Sequence, residues 1–188
     1  VDLLCALLSN YYLKNTKHTN YGSCLNCSKI VKETIEKNGG KHFKMHVGHS
    51  LVKKQMHKDN IFFCAELSGH LYFTHDDAGK LKFDSSTRGV VELLNVLCSS
   101  EYSDFPKKQK FSNIISQYHK YSHGMVISFE VKDKKVVMQK ILDHFHDATI
   151  EDFDGYILNY DDWWASIRES NTENKLRIDM EANSEDLY

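Results

Sequence analysis

Hydrophobic positions along the first hundred residues change period several times, and each change predicts an element. Residues 3–8 (Leu3, Leu4, Cys5, Ala6, Leu7, Leu8) are apolar almost all the way round a helix, so that helix needs partners on every side. SKIVKETIEKNGG (28–40) places Ile30, Val31 and Ile35 on one side and stops at Gly39–Gly40. KHFKMHV (41–47) alternates, with Phe43, Met45 and Val47 on one face and His42, Lys44 and His46 on the other, which predicts a strand. A short helix from Ser50 to about His57 precedes the apolar run IFFCA (61–65), a buried strand. LYFT (71–74) and KLKFD (80–84) flank the turn signal Asp76–Asp77–Ala78–Gly79. RGVVELLNVLC (88–98) is helical through Val90, Val91, Leu94 and Leu97. Helices alternating with strands predict a three-layer α/β/α domain with a mixed sheet over residues 1–103.

From 104 to 123 the pattern weakens around Pro106, with a short helix near Ile114–Ile115, and this stretch reads as a connection. A second domain, 124–188, opens with the alternating MVISFEV (125–131) and the amphipathic KKVVMQKILDHF (134–145). GYILNY and WWASI form a hairpin around Asp161–Asp162, and KLRIDME (175–181) alternates again. One strand, a helix and a three-strand meander predict a smaller α+β domain, an antiparallel sheet packed on helices.

Both ends read as cut. Val1 enters the first apolar helix with no capping residue, and Ser184–Glu185–Asp186 announces a helix just before the sequence stops at Tyr188. The expectation is a piece of a longer protein.

Charge sharpens the division. Residues 1–103 carry 13 basic and 10 acidic side chains, and residues 104–188 carry 11 and 16, so the second domain needs local donors to hold an anion. A formal net charge of −2 excludes a general nucleic-acid binder. No apolar run suggests a membrane span or a signal peptide, and an odd five cysteines favour reduced thiols and a cytoplasmic address.

Three groups of residues could carry chemistry. Cys24-x2-Cys27 and His42-x3-His46 fit a loose zinc spacing, but the histidines lie on a predicted strand, where four residues set them about 13 Å apart. CAELSGHLYF (64–73) gathers Glu66, Ser68 and His70 at the end of a buried strand, where α/β folds place ligands. Glu66 and Ser68 can grip vicinal hydroxyls and His70 can exchange a proton near neutral pH; ordinary capping groups of a hairpin would show the same residues. RESNTEN (168–174) joins the Arg168 fork to Ser170, Asn171 and Thr172, a set that suits a phosphate and equally a polar turn with a surface arginine. Arginine is scarce here: Arg88, Arg168 and Arg177 stand against 21 lysines, which gives the placement weight.

AELSGH resembles the Gly-Glu-x-Ser-Gly-His sugar loop of the α-D-phosphohexomutases, the family of phosphomannomutases and phosphoglucomutases. HVGHSLVKKQM (46–56) is similar to that family's Gly-His-Ser-x-Ile-Lys-Lys stretch, and RESNTENKLRIDMEA to its C-terminal phosphate loop and following strand. Order and spacing agree along essentially the whole chain, which looks like the third and fourth of four family domains. Asn171 tilts the resemblance toward the phosphomannomutase/phosphoglucomutase branch.

The resemblance implies an isomerase that shifts phosphate between the C1 and C6 hydroxyls of a hexose through a phosphoserine and a hexose 1,6-bisphosphate intermediate. It implies Glu66, Ser68 and His49 as sugar contacts and His70 as a proton shuttle. Arg168, Ser170, Asn171 and Thr172 would be the phosphate grip. The phosphoserine loop and the Mg2+ loop of the family are absent from these 188 residues, so both, and the N-terminal half bearing them, would be supplied from outside the sequence. Cys24 and Asn26 stand where the family often has Asp and a sugar-contacting Lys; Ala65 replaces Gly, Glu169 adds a charge to the phosphate loop and Asn174 replaces Pro. The alternative reading is a catalytically dead sugar-phosphate-binding fragment or relic.

Overall fold

The computed structural model describes residues 1–74, 86–103, 109–170 and 172–187. Its residues fall into two compact units, Val1–Lys120 and Tyr121–Tyr188.

In the first unit, helix α1 (Asp2–Asn15) buries Cys5, Ala6, Leu7, Leu8 and Tyr12. It packs against four other elements that surround it: α2 (Lys29–Lys37), α4 (Ser86–Cys98), α6 (Phe111–Ser116) and the sheet. The all-round apolar pattern meets partners on every side, as expected. Strands β1 (Asn20–Cys24), β2 (Lys41–Met45), β3 (Phe63–Ala65) and β4 (Leu71–Phe73) form a mixed sheet in the order β2-β1-β3-β4. β1 runs parallel to β2 and β3, and β4 closes on β3 antiparallel. Because β1 lies between the strands that follow it, the two crossovers run in opposite directions. Right-handed connections then set α2, beside α1, on one face and α3 (His49–Lys58) on the other. The three layers expected from the sequence are present.

Local chemistry sets the element ends. The Ser28 side chain accepts from the Ile30 N–H at the start of α2, which buries Ile30, Val31, Thr34 and Ile35 and is followed by Gly39 at φ +81°. Helix α4 corrects one expectation. Val90, Val91 and Leu94 are exposed, while Gly89, Glu92 and Val96 face inward. The reason is steric: a Cβ at position 89 would clash with the Leu71 side chain, so the helix approaches through its glycine and not through its largest apolar residues. Arg88 pairs with the buried Glu92 one turn on. The expected turn at Asp76–Gly79 and strand at 80–84 lie outside the described residues.

α5 (Ser100–Ser103) follows α4, and within the stretch read as a connection α6 buries Ile114. Tyr118 accepts a hydrogen bond from Asn10 of α1 at 2.9 Å.

The second unit is built on a six-stranded antiparallel sheet. β5 (Ser122–His123) and β6 (Ile127–Glu130) both pair with β10 (Lys175–Ala182), and β7 (Thr149–Asp152), β8 (Tyr156–Asn159) and β9 (Trp163–Glu169) complete a four-strand meander with it. The expected meander lacked β7, whose TIED sequence has no clean apolar alternation. Helix α7 (Lys134–His144), capped by Asp133 on the Val136 N–H, covers one face and packs Met138 on Leu158, Ile167 and Leu176. Ser184 leads into a 3-10 turn, Glu185–Leu187.

Leu8, fully buried in α1, tests this packing: Leu8→Ala should lower unfolding stability by about 3 kcal/mol in urea titration, the usual cost of a core leucine truncation.

Candidate functional site

Parallel strands leave the sheet at one end, and the loops after β1 (25–28), β2 (46–48) and β3 (66–70) are the carboxyl-end loops of the first unit. Glu66 ends β3 and turns back through the Gly69 N–H to Glu66 carbonyl bond, with its own N–H donating to the His70 carbonyl. The period-2 alternation of the β3–β4 hairpin puts Glu66, His70 and Tyr72 on one face. There the Tyr72 hydroxyl donates to the Glu66 carboxylate at 2.9 Å, in a site where Glu66 is buried and Tyr72 fully so. A carboxylate has more acceptor capacity than one hydroxyl fills, so this bond aims the group without saturating it.

His49, the first residue of α3, brings its ring to 5.7 Å from that of His70 and 5.6 Å from that of Tyr72. Three of the predicted residues, Glu66, His70 and His49, are thus assembled around a tyrosine that the motif reading missed. Alternation within the hairpin was the signal for it. Ser68 is exposed at the loop tip. Asn26, in the loop after β1, is buried with its Oδ1 lacking a hydrogen-bond partner among the described residues. Cys27 of the same loop donates to the Ala65 carbonyl next to Glu66.

The zinc reading does not survive the geometry. Cys24 donates to the His46 carbonyl, and the His42 ring is hydrogen-bonded to the Ser23 hydroxyl at 2.9 Å. Burial pushes the Cys27 thiol well up, which disfavours the thiolate a metal needs. Among the described residues no three His, Cys, Asp or Glu side chains could hold a metal ion.

In the second unit the candidate anion loop, residues 170–174, lies between β9 and β10. Alternation along β9 sends Arg168 to the face opposite α7 and Glu169 to the α7 face. Arg168 lies directly across from Arg177, a like-charge pair that needs anions nearby. Asp154 supplies one: its carboxylate is 3.2 Å from the Arg168 guanidinium and its carbonyl accepts from Nε. Ser170 is buried, its N–H donates to the Lys175 carbonyl, and its Oγ has no hydrogen-bond partner among the described residues. Thr172 is exposed, and Asn171 lies outside the described residues. Asn174 ties the loop down by donating to the carbonyls of Val131 and Lys132.

Similarity to known proteins follows these two sites. The family model described as phosphoglucomutase/phosphomannomutase, alpha/beta/alpha domain III, matches residues 1–121. A phosphomannomutase of Methanocaldococcus jannaschii is 36% identical over 184 residues, 98% of this chain and 38% of that protein. The chain spans between 31% and 38% of the length of the curated relatives it matches. In fold it is similar to a phosphoglucomutase/phosphomannomutase family protein of Burkholderia thailandensis (TM-score 0.79, 21% identity, 99% of this chain and 38% of that one). An Aspergillus fumigatus N-acetylphosphoglucosamine mutase, solved with GlcNAc-6P and magnesium, shares the fold at TM-score 0.64 and 13% identity, over 98% of this chain and 44% of that one.

Two predictions follow from the geometry. Burial and the neighbouring Lys32 and Lys44 hold the His42 imidazole down at about 4, below the 6.5 of an unfolded histidine. The unfolded chain therefore binds the extra proton first, so stability is full above about pH 6.5, falls between there and pH 4 by at most about 3 kcal/mol, and loses nothing more from this group below. Urea titrations at pH 7 and pH 4 check this, and His42→Gln should flatten the difference. Gly155 has φ +104°, and a Cβ there would clash with the Ile167 carbonyl and lie 2.9 Å from the Arg168 side chain. Gly155→Ala should cost about 3 kcal/mol of stability, read by thermal unfolding.

Proposed function

Because the chain belongs to the phosphoglucomutase/phosphomannomutase family and carries its α/β/α domain III, we propose that it is the substrate-holding C-terminal half of a phosphohexomutase that interconverts hexose 1-phosphate and hexose 6-phosphate. The observation that carries this reading is the carboxylate of Glu66, oriented by Tyr72 beside His49 and His70 at the carboxyl end of the parallel strands. A carboxylate fixed in a buried position accepts hydrogen bonds from hydroxyls without having to be ordered on binding.

In this reading Glu66 and Ser68 hold sugar hydroxyls, and His49 lines the sugar pocket. His70 holds or releases a proton on the hydroxyl that gains or loses phosphate. Arg168, Ser170, Asn171 and Thr172 grip the phosphate that is not reacting. The grip must work for either end of the sugar, because a 1,6-bisphosphate intermediate has to turn over between the two half-reactions. In this reading the transferable phosphate and the magnesium would be supplied by an N-terminal half outside these 188 residues; when bound, the cation would offset charge on the moving phosphoryl group. The domain division proposed is a sugar-binding domain over 1–103, a connection over 104–123 and a phosphate-binding domain over 124–188. A cytoplasmic setting fits a phosphorylated sugar substrate, and no helix among the described residues is long and apolar enough to cross a membrane.

A second reading, a binding fragment without catalysis, is favoured by Asn26 in place of a sugar-contacting lysine. Both readings give an isolated chain that binds and does not turn over, and co-expression with an N-terminal half bearing the serine and metal loops separates them.

Calorimetry with α-D-glucose 1,6-bisphosphate tests the shared part. Glu66→Gln should weaken binding about tenfold, the loss of one charge-assisted hydrogen bond, and Arg168→Ala should abolish it. Unchanged affinity in both variants would remove the assignment, as would measurable mutase turnover by the 188 residues alone.

A further inference from the structure

The proposed phosphate loop contains a carboxylate, and Glu169 ought to repel the ligand that its neighbours are to hold. The structure assigns the answer to Lys134: we propose that this lysine, the first residue of α7, is the positioning residue of the anion loop, acting from the opposite side of the sheet to Arg168. The inference rests on the phosphate-grip reading of residues 168–172 and adds to it a residue that no motif contains.

Three contacts converge on one ammonium group. Lys134 Nζ donates to the Ser170 carbonyl at 2.9 Å and to the Glu173 carbonyl at 3.4 Å, and lies 3.6 Å from the Glu169 carboxylate. The two carbonyls bracket the loop at its entry and near its exit, so one cation fixes both ends of residues 170–173. Carbonyl oxygens engaged by an ammonium group are kept from facing a bound anion, so the lysine removes two repelling acceptors from the ligand. The contact to Glu169 has a separate effect. Strand alternation already sends that carboxylate to the α7 face, away from Arg168, and Lys134 neutralises it there, so the charge of the loop seen from the Arg168 side is set by the arginine. Lys134 is itself held in register: Asp133 beside it caps α7 through the Val136 N–H, and the α7 core contact at Met138 anchors the helix to β8, β9 and β10.

The test combines affinity for α-D-glucose 1,6-bisphosphate, by calorimetry, with amide hydrogen exchange over residues 170–174 without ligand. Lys134→Met should weaken binding about tenfold and speed exchange in the loop, and Lys134→Arg should restore both to within about twofold. Glu169→Gln added to Lys134→Met should recover part of the affinity, because it removes the charge that the lysine no longer offsets. If Lys134→Met binds as tightly as the unmodified chain while Arg168→Ala does not bind, the lysine has no part in the grip and the grip stands. Faster exchange with unchanged affinity overturns the proposal too, since the lysine then orders the loop without serving the ligand. An unmodified chain that binds no bisphosphate overturns the grip reading itself, and this inference with it.

Discussion

Parallel strands can be neighbours only if each is followed by a crossover, and most of the first unit is a consequence of that constraint. With β1 flanked by β2 on one side and β3 on the other, two successive crossovers must diverge. Their divergence clothes both faces of the sheet with helices, and it also parts the loops at the carboxyl ends. His49 and His70 keep their imidazoles at least partly exposed beside the buried Glu66 carboxylate and Tyr72 phenol, so the four polar groups share one locality at the margin of the core. Elsewhere in the unit, the buried carboxylate of Glu92 is paired with Arg88.

The second unit solves a different problem. An antiparallel sheet with a single helix on it has one apolar face and one that must be satisfied otherwise. The face away from α7 carries Arg168, Arg177, Asp179, Glu181, His123 and Trp164, matched as Trp164 with Glu181 at 2.9 Å and His123 with Asp179 at 3.3 Å. Burial of Trp164, Asp179 and Glu181 keeps the charges on this face in fixed places. The tight turn at Asp154–Gly155 extends the same logic, because it delivers both a carboxylate and a carbonyl to one guanidinium.

Much of this was legible in the pattern of residues, for reasons that differ by element. Met45 at the end of β2, the buried IFFCA run and the amphipathic α7 follow directly from period and burial. Helix α4 was readable as a helix and not as an orientation: periodicity marks its apolar stripe, but a single glycine decided which side could approach Leu71. Glu66 and His70 were visible as a motif, whereas Tyr72 required the pairing of β3 with β4 to be known. The loop 170–174 was visible for its short polar residues. The partner of Arg168 was not, since Asp154 is brought there by a hairpin 14 residues earlier in the chain, and neither was Lys134, 36 residues before Ser170.

The cysteines of the first unit have a practical side. Cys5, Cys24, Cys27 and Cys64 are buried, and burial drives the Cys5 thiol up to about 12, with Cys27 and Cys64 also raised. Only Cys98, at the end of α4, is exposed. The folded chain therefore presents a single address to thiol-directed dyes, spin labels or crosslinkers, and loss of that selectivity is a direct optical gauge of unfolding.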